Sequence, residues 1–294
     1  MDGIINIYKE KGFTSHDVVA KMRGILRTKK IGHTGTLDPD ATGVLPVCIG
    51  KGTRLCSLFE NHDKTYRAVL LLGIETDTQD ISGQILNEKP VCISKEQLLQ
   101  ALSAFRGNIM QVPPMYSALK VNGKKLYEYA REGKIIERQA RPIEIKELTV
   151  EAIDFPRVTI TVSCSKGTYI RTLCHDIGQA LGCGGCMESL VRTRVGNFHL
   201  EEAVTLKELE EKRDADDLDS CILTVEEVFS ELPSVHTQPL FDRLIHNGNR
   251  VGASMLVGQP HCGWIRMYDS CGLFTGIYEY DSVREDYKPL KMFL

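Results

Sequence analysis

Residues 32–45 read Gly32-His33-Thr34-Gly35-Thr36-Leu37-Asp38-Pro39-Asp40-Ala41-Thr42-Gly43-Val44-Leu45. Three glycines allow tight turns and close approach of the backbone to a ligand. Pro39 pushes Asp38 out of the helical region into extended backbone, so the carboxylate stands on a stiff support. Small residues and hydroxyls surround it, and residues 44–49 continue as a strand-like apolar run. A rigid loop that presents one carboxylate beside an imidazole suits nucleophilic or acid–base chemistry. Asp-Pro in a loop rich in Gly and Thr is also an ordinary way to start a turn, and that residue pair alone favours the ordinary explanation.

The flanking chain supplies elements to carry such a loop. Residues 3–8 read as a short strand. Thr14 with Asp17 reads as a capping box, opening a helix with an apolar stripe of Val18, Val19, Met22, Ile25 and Leu26. Residues 64–73 read as a strand with Tyr66, Ala68, Leu70 and Leu72 on one face. Ser94 caps a helix to about Phe105, burying Leu98, Leu99, Leu102 and Phe105. Pro113-Pro114 fixes an extended segment, Asn122-Gly123 marks a turn, and residues 124–131 look helical and basic. Residues 141–153 and 158–164 alternate as half-buried antiparallel strands do. A helix with Ile170, Leu173, Ile177 and Leu181 as its stripe then places Arg171 in its first turn. A cation there opposes the helix dipole at a cost of a few tenths of a kcal/mol, roughly. That cost points to a partner elsewhere, most simply a carboxylate; a solvated surface arginine fits the local pattern equally well.

Taken whole, the string 32–45 resembles the signature of the TruB family of bacterial tRNA pseudouridine synthases, with every fixed position of that pattern filled. Four further stretches fit the same family. They are Lys9-Glu10-Lys11-Gly12-Phe13-Thr14-Ser15, with Glu10 where the family usually has proline; Lys64-Thr65-Tyr66; Gln111-Val112-Pro113-Pro114-Met115-Tyr116-Ser117-Ala118-Leu119-Lys120; and Cys164-Ser165-Lys166-Gly167-Thr168-Tyr169-Ile170-Arg171. Residues 75–83 and Leu190-Val191-Arg192-Thr193-Arg194-Val195-Gly196-Asn197-Phe198 add further matches, with Val191 and Cys186-Met187 departing from the commoner residues.

The resemblance implies roles. Asp38 would be the nucleophile, attacking either the ribose or the ring carbon of the target uridine, and Arg171 would pair with it. Tyr66 would stack on the target base and help move a proton. Tyr169 and Leu190 would line the base pocket, with Lys9 and Lys64 among the substrate contacts. A uridine inside a folded RNA loop must leave its stack to be reached. His33 could take its place in the RNA, or could simply be hydrogen-bonded within its own loop.

Composition bounds the rest. The chain has 294 residues, 42% of them hydrophobic, which allows a sizeable core in one large domain or one large and one small. Its longest clean apolar run, residues 68–74, is far short of a membrane helix, and the start has no signal-peptide character, so a soluble cytoplasmic protein is expected. Ten scattered cysteines then read as free thiols, and Cys183-Gly184-Gly185-Cys186 lacks the second ligand pair of a zinc site, so no metal is expected. Net charge is −3, but it is uneven: residues 201–220 carry −6 and residues 120–146 carry +4, a segment that could track a phosphate backbone, although on charge alone an ordinary solvated surface fits as well. Gly50-Lys51-Gly52-Thr53 is not a phosphate loop, because the pattern needs glycine at Leu45 and a hydroxyl at Gly52. A non-catalytic RNA-binding module would need neither Asp38 nor Arg171. A guide-RNA-dependent synthase would share the core but not the compact length.

The expectation is therefore an α+β chain. A catalytic domain at 1–230 is built on a mixed, mainly antiparallel sheet flanked by helices, and a small β-rich PUA-like domain occupies 231–294. As the resemblance implies, it would isomerise uridine-55 in the TΨC loop of tRNA, gripping the T-arm with no cofactor, no metal and no guide RNA, as a monomer.

Overall fold

The computed structural model describes residues 1–258 and 261–294. Its larger sheet has nine strands. Seven lie in the order Gly3–Lys9, Thr42–Ile49, Gly185–Val195, Lys64–Leu72, Arg157–Cys164, Arg141–Asp154 and Gly107–Gln111. Ile31–His33 pairs beside Thr42–Ile49, and Phe198–His199 beside Gly185–Val195. Along that path every pairing is antiparallel but one, as the sequence predicts in outline. The exception is a short parallel contact, Val191 with Thr42 and Arg192 with Gly43, which the sequence did not foretell. Gly43 has φ +105, and a Cβ there would lie 2.2 Å from the Arg192 carbonyl oxygen, so the seam admits only glycine.

The seam divides two apolar clusters. On one side Tyr66, Ala68, Leu70 and Leu72 form the buried face that period two predicts. They pack with Leu98 and Leu102 of the Lys95–Ser103 helix and with Ile170, Leu173 and Ile177 of the Ile170–Ala180 helix. On the other side Ile5, Ile7, Leu45, Val47 and Ile49 meet the Ser15–Ile25 helix through Val18, Val19, Met22 and Ile25. Both predicted caps form: Thr14 and Asp17 close a capping box, as do Ser94 and Gln97. The basic segment is shorter in helix than expected, Leu126–Arg131, because Lys124–Lys125 pairs as a strand with Lys120–Val121. In the stretch 183–186, Gly185 already begins a strand.

After Pro233 a second, six-stranded sheet runs from Ser234–Thr237 to Asp286–Met292. It does not stand apart. Ile277, Phe293, Phe274 and Trp264 share an apolar cluster with Phe59, Phe198, Val44 and Phe229 of the larger unit. The Tyr268 hydroxyl also donates to Glu226 Oε1 at 2.6 Å. Among the described residues no helix is long and apolar enough to cross a membrane. All ten cysteines are free thiols.

Candidate active site

Asp38 lies in the loop between Ile31–His33 and Thr42–Ile49, and its neighbours show where that loop's stiffness comes from. Pro39 contributes, but two buried cations contribute more. Lys9 Nζ donates to the carbonyls of Phe13 at 2.6 Å, Pro39 at 3.1 Å and Glu10 at 3.1 Å. Arg192, 1% exposed, donates through Nε to the Val44 carbonyl at 2.7 Å and through Nη2 to the Gly35 carbonyl at 3.3 Å. The Leu37 N–H donates to Ser15 Oγ at 2.9 Å, and the Gly12 N–H to the Pro39 carbonyl at 2.9 Å. The loop is thus held from both clusters and from the seam.

Arg171 has the partners its helix position calls for. Nε stands 3.0 Å from Asp38 Oδ2 and Nη2 donates to Asp38 Oδ1 at 3.3 Å, a fork on one carboxylate. Nη1 reaches Asp80 Oδ2 at 3.4 Å and the Thr78 carbonyl at 3.2 Å, and Nη2 also reaches the Tyr116 carbonyl at 2.8 Å. The arginine side chain is 7% exposed, whereas that of Asp38 is 42% exposed. The cation is therefore buried scaffolding, and the carboxylate is the group that faces outward. Burial nevertheless pushes the Asp38 carboxyl above its usual range, and the Asp80 charge adds to this; Arg171, and more weakly Lys9, pull the other way.

Tyr66 and Leu190 belong to the same buried cluster as Leu37, the residue before the nucleophile candidate. The Tyr66 phenol lies against Arg192, and burial raises it, so it is neutral and able to donate at neutral pH. Tyr169 precedes the Ile170–Ala180 helix as its N-cap residue, and burial raises its phenol too. His33 accepts the Gly35 N–H at Nδ1, 3.3 Å away. Burial and the Arg192 charge keep its imidazole below the usual range and hence neutral. The sequence thus brought Asp38, Arg171, Tyr66, Tyr169, Leu190 and His33 forward, and the fold gathers Asp38 with Arg171 and Tyr66 with Leu190.

Lys9 and Lys64 have protein partners that the sequence does not reveal. The sequence reading makes both substrate contacts, but both ammoniums are taken up by main-chain carbonyls. Lys64 Nζ donates to the carbonyls of His62 at 2.6 Å and Glu60 at 2.8 Å. Burial pushes each lysine down to about 8. In this structure both ammoniums hold loops. Replacing Lys9 with Met keeps the apolar stem but strips three carbonyls of a charged donor, so urea unfolding should show a loss of about 2–4 kcal/mol. A loss below about 1 kcal/mol would show that the ammonium is dispensable.

Arg192, Asp80 and Gln111 are the residues sequence reasoning passed over. Arg192 had a usable signal: two positions after Leu190, it falls on the same, buried face of a strand, where a charge needs a reason. Asp80 and Gln111 had none beyond membership of a motif. Among the described residues no group of three or more His, Cys, Asp or Glu is placed to hold a metal ion.

Residues 23–170 match the family described as TruB family pseudouridylate synthase (N terminal domain), and residues 171–230 match the tRNA pseudouridylate synthase B C-terminal domain. The tRNA pseudouridine synthase B of Lachnoclostridium phytofermentans is 49% identical over the full length of both chains. That of Alkaliphilus oremlandii is 45% identical over 89% of this chain and 86% of its own. Among solved structures, a chain of a Cbf5-Nop10-Gar1 complex is 27% identical, with a TM-score of 0.75 over 99% of this chain and 85% of that one. By sequence and by fold, the chain belongs to the TruB family of pseudouridine synthases and is an isomerase.

Proposed function

We propose that the enzyme converts uridine-55 in the TΨC loop of tRNA to pseudouridine, with Asp38 as nucleophile. The observation that carries this is the Arg171 fork on Asp38, an outward-facing carboxylate beside the cluster that holds Tyr66 and Leu190. Pseudouridine formation breaks the N–C glycosidic bond, turns the base and rejoins it through carbon, with one proton moved and no atom lost. Such a reaction asks for a nucleophile, an apolar shelf for the detached base and a proton carrier. Asp38 supplies the first. Leu190 with the rings of Tyr66 and Tyr169 supplies the second, recovering part of the few kcal/mol, roughly, that extruding a base costs. The neutral Tyr66 phenol supplies the third. His33, neutral and oriented by its bond from Gly35, is suited to stack where the uridine has left.

The T-arm is gripped by the basic segment, where cations lie over aromatic faces: Lys124 over Tyr129 at 4.8 Å, and Lys125 and Arg131 over Tyr127 at 5.3 Å each. The sheet within 231–294 acts as a PUA-like RNA-binding unit. The enzyme works as a monomer and without a guide RNA, in the cytoplasm. In support, the relatives identical at 40–49% are named as tRNA enzymes, while the Cbf5 chain is more distant.

The test is to incubate the protein with an unmodified tRNA transcript, with no cofactor or guide, and map pseudouridine by carbodiimide-based primer extension. A stop at the TΨC-loop uridine is expected. Tight tRNA binding without a stop would overturn the assignment in favour of a binding module or a guide-dependent enzyme.

A further inference from the structure

Gln111 ends the Gly107–Gln111 strand and is 2% exposed. Its carboxamide meets a single distant residue twice. Nε2 donates to the Tyr169 carbonyl at 3.0 Å, and Oε1 accepts the Tyr169 N–H at 2.9 Å. Tyr169 has extended backbone, φ −101 and ψ 109, and its own side chain makes no capping bond. A side chain here does what a neighbouring strand would otherwise do, satisfying both main-chain groups at the start of the Ile170–Ala180 helix.

The residues after Gln111 extend the connection. The Tyr116 carbonyl accepts Arg171 Nη2 at 2.8 Å, and the Ser117 side chain lies beside the Tyr169 phenol. The same stretch anchors the basic segment from below. Tyr127 N–H donates to the Ser117 carbonyl at 3.1 Å, Leu126 N–H to the Leu119 carbonyl at 2.8 Å, and Arg138 Nη1 to the Pro113 carbonyl at 3.2 Å. Residues 111–117 therefore touch the helix start on one side and the basic segment on the other.

We propose that Gln111 is a positioning residue for the reaction, fixing Tyr169 and Arg171 against Asp38 and coupling their placement to the seating of the basic segment on RNA. This rests on the function proposed above. Gln111 touches neither the reacting atoms nor solvent, so its contribution is to geometry. Two variants test it, with wild-type turnover on the tRNA transcript measured first in the same assay. Gln111→Ala is expected to lower kcat by roughly 10- to 100-fold, the scale of an ångström of misplacement, while KM and tRNA affinity change little.

Gln111→Glu separates positioning from mere filling of space. Ionised, the carboxylate has no donor for the Tyr169 carbonyl; protonated, it regains both a donor and an acceptor. Its kcat relative to wild type should therefore rise as pH is lowered from about 8 to about 6, and the ratio cancels the titration of Asp38 common to both enzymes. A ratio flat with pH, or a Gln111→Ala loss confined to KM, would overturn the proposal. Failure of both variants to fold at every pH would also overturn it, by showing that the carboxamide serves the fold alone. An inactive wild-type enzyme would instead remove the functional assignment on which the proposal stands.

Discussion

Replacing Asp38 with Asn is expected to yield a protein that folds and binds tRNA and forms no pseudouridine. Turnover falls by roughly 10⁴-fold or more, as expected when a covalent nucleophile is removed and only binding remains. The substitution is nearly isosteric, and the amide oxygen can still accept from Arg171. Stability follows the sign of the carboxyl's shift. Burial raises Asp38 in the folded protein, so the ionised form is disfavoured there relative to the unfolded chain. That cost is present above the raised value and disappears as pH falls through it, when the group protonates. Asn never incurs it, so at neutral pH the thermal midpoint of Asp38→Asn should be no lower than that of wild type. Primer extension and a melting curve on the same preparation check both halves. Turnover within tenfold of wild type would remove Asp38 from the chemistry; a large drop in midpoint would mean that the carboxylate holds the loop together.

Arg171→Ala is expected to lower kcat by roughly 10²- to 10³-fold, the scale of removing one preorganised charged donor from a reacting site, with far less effect on tRNA affinity. The pH profile is the sharper readout. Arg171 is the strongest of the charges that hold Asp38 ionised against its burial, and Asp80 pushes the other way. Without the guanidinium, Asp38 protonates at higher pH, so the acid limb of the rate profile moves up. The deficit relative to wild type should then shrink as pH is raised. An unmoved limb, or equal losses in rate and affinity, would mean that the fork is structural only. Arg171→Lys should recover part of the rate, since it restores charge but cannot fork across both carboxylate oxygens.

What was legible in the chain was local. The two capping boxes, the buried face of Tyr66, Ala68, Leu70 and Leu72, and the start of the Ile170–Ala180 helix follow from short-range rules, and all stand in the structure. Even the partner of Arg171 was partly legible, because a cation at the start of a helix is a small local cost that asks for an explanation. The signature loop carried its meaning through a long, complete motif more than through any physical rule. What escaped was long-range. Arg192 reaches residues 148 and 157 positions away in sequence, and Gln111 reaches 58, and no periodicity records such contacts. The carbonyl partners of Lys9 and Lys64 escaped for a related reason. A lysine looks like a phosphate contact until one sees that its ammonium is enclosed by carbonyls.

The two-residue parallel seam also bears on what holds the molecule shut. Asp38 and Arg171 are 133 residues apart in sequence, so bringing them together costs about 4 kcal/mol in chain entropy alone. An ion pair with one partner 42% exposed to water returns roughly 1 kcal/mol or less. It cannot close that loop. Closure must come from the long pairing of Gly185–Val195 with Lys64–Leu72, and from Arg192 reaching across the seam to Val44 and Gly35. Asp38 is thereby relieved of any part in holding the two halves together. Under the proposed mechanism, its bond to Arg171 can be given up to a substrate and taken back in each turnover without the sheet opening.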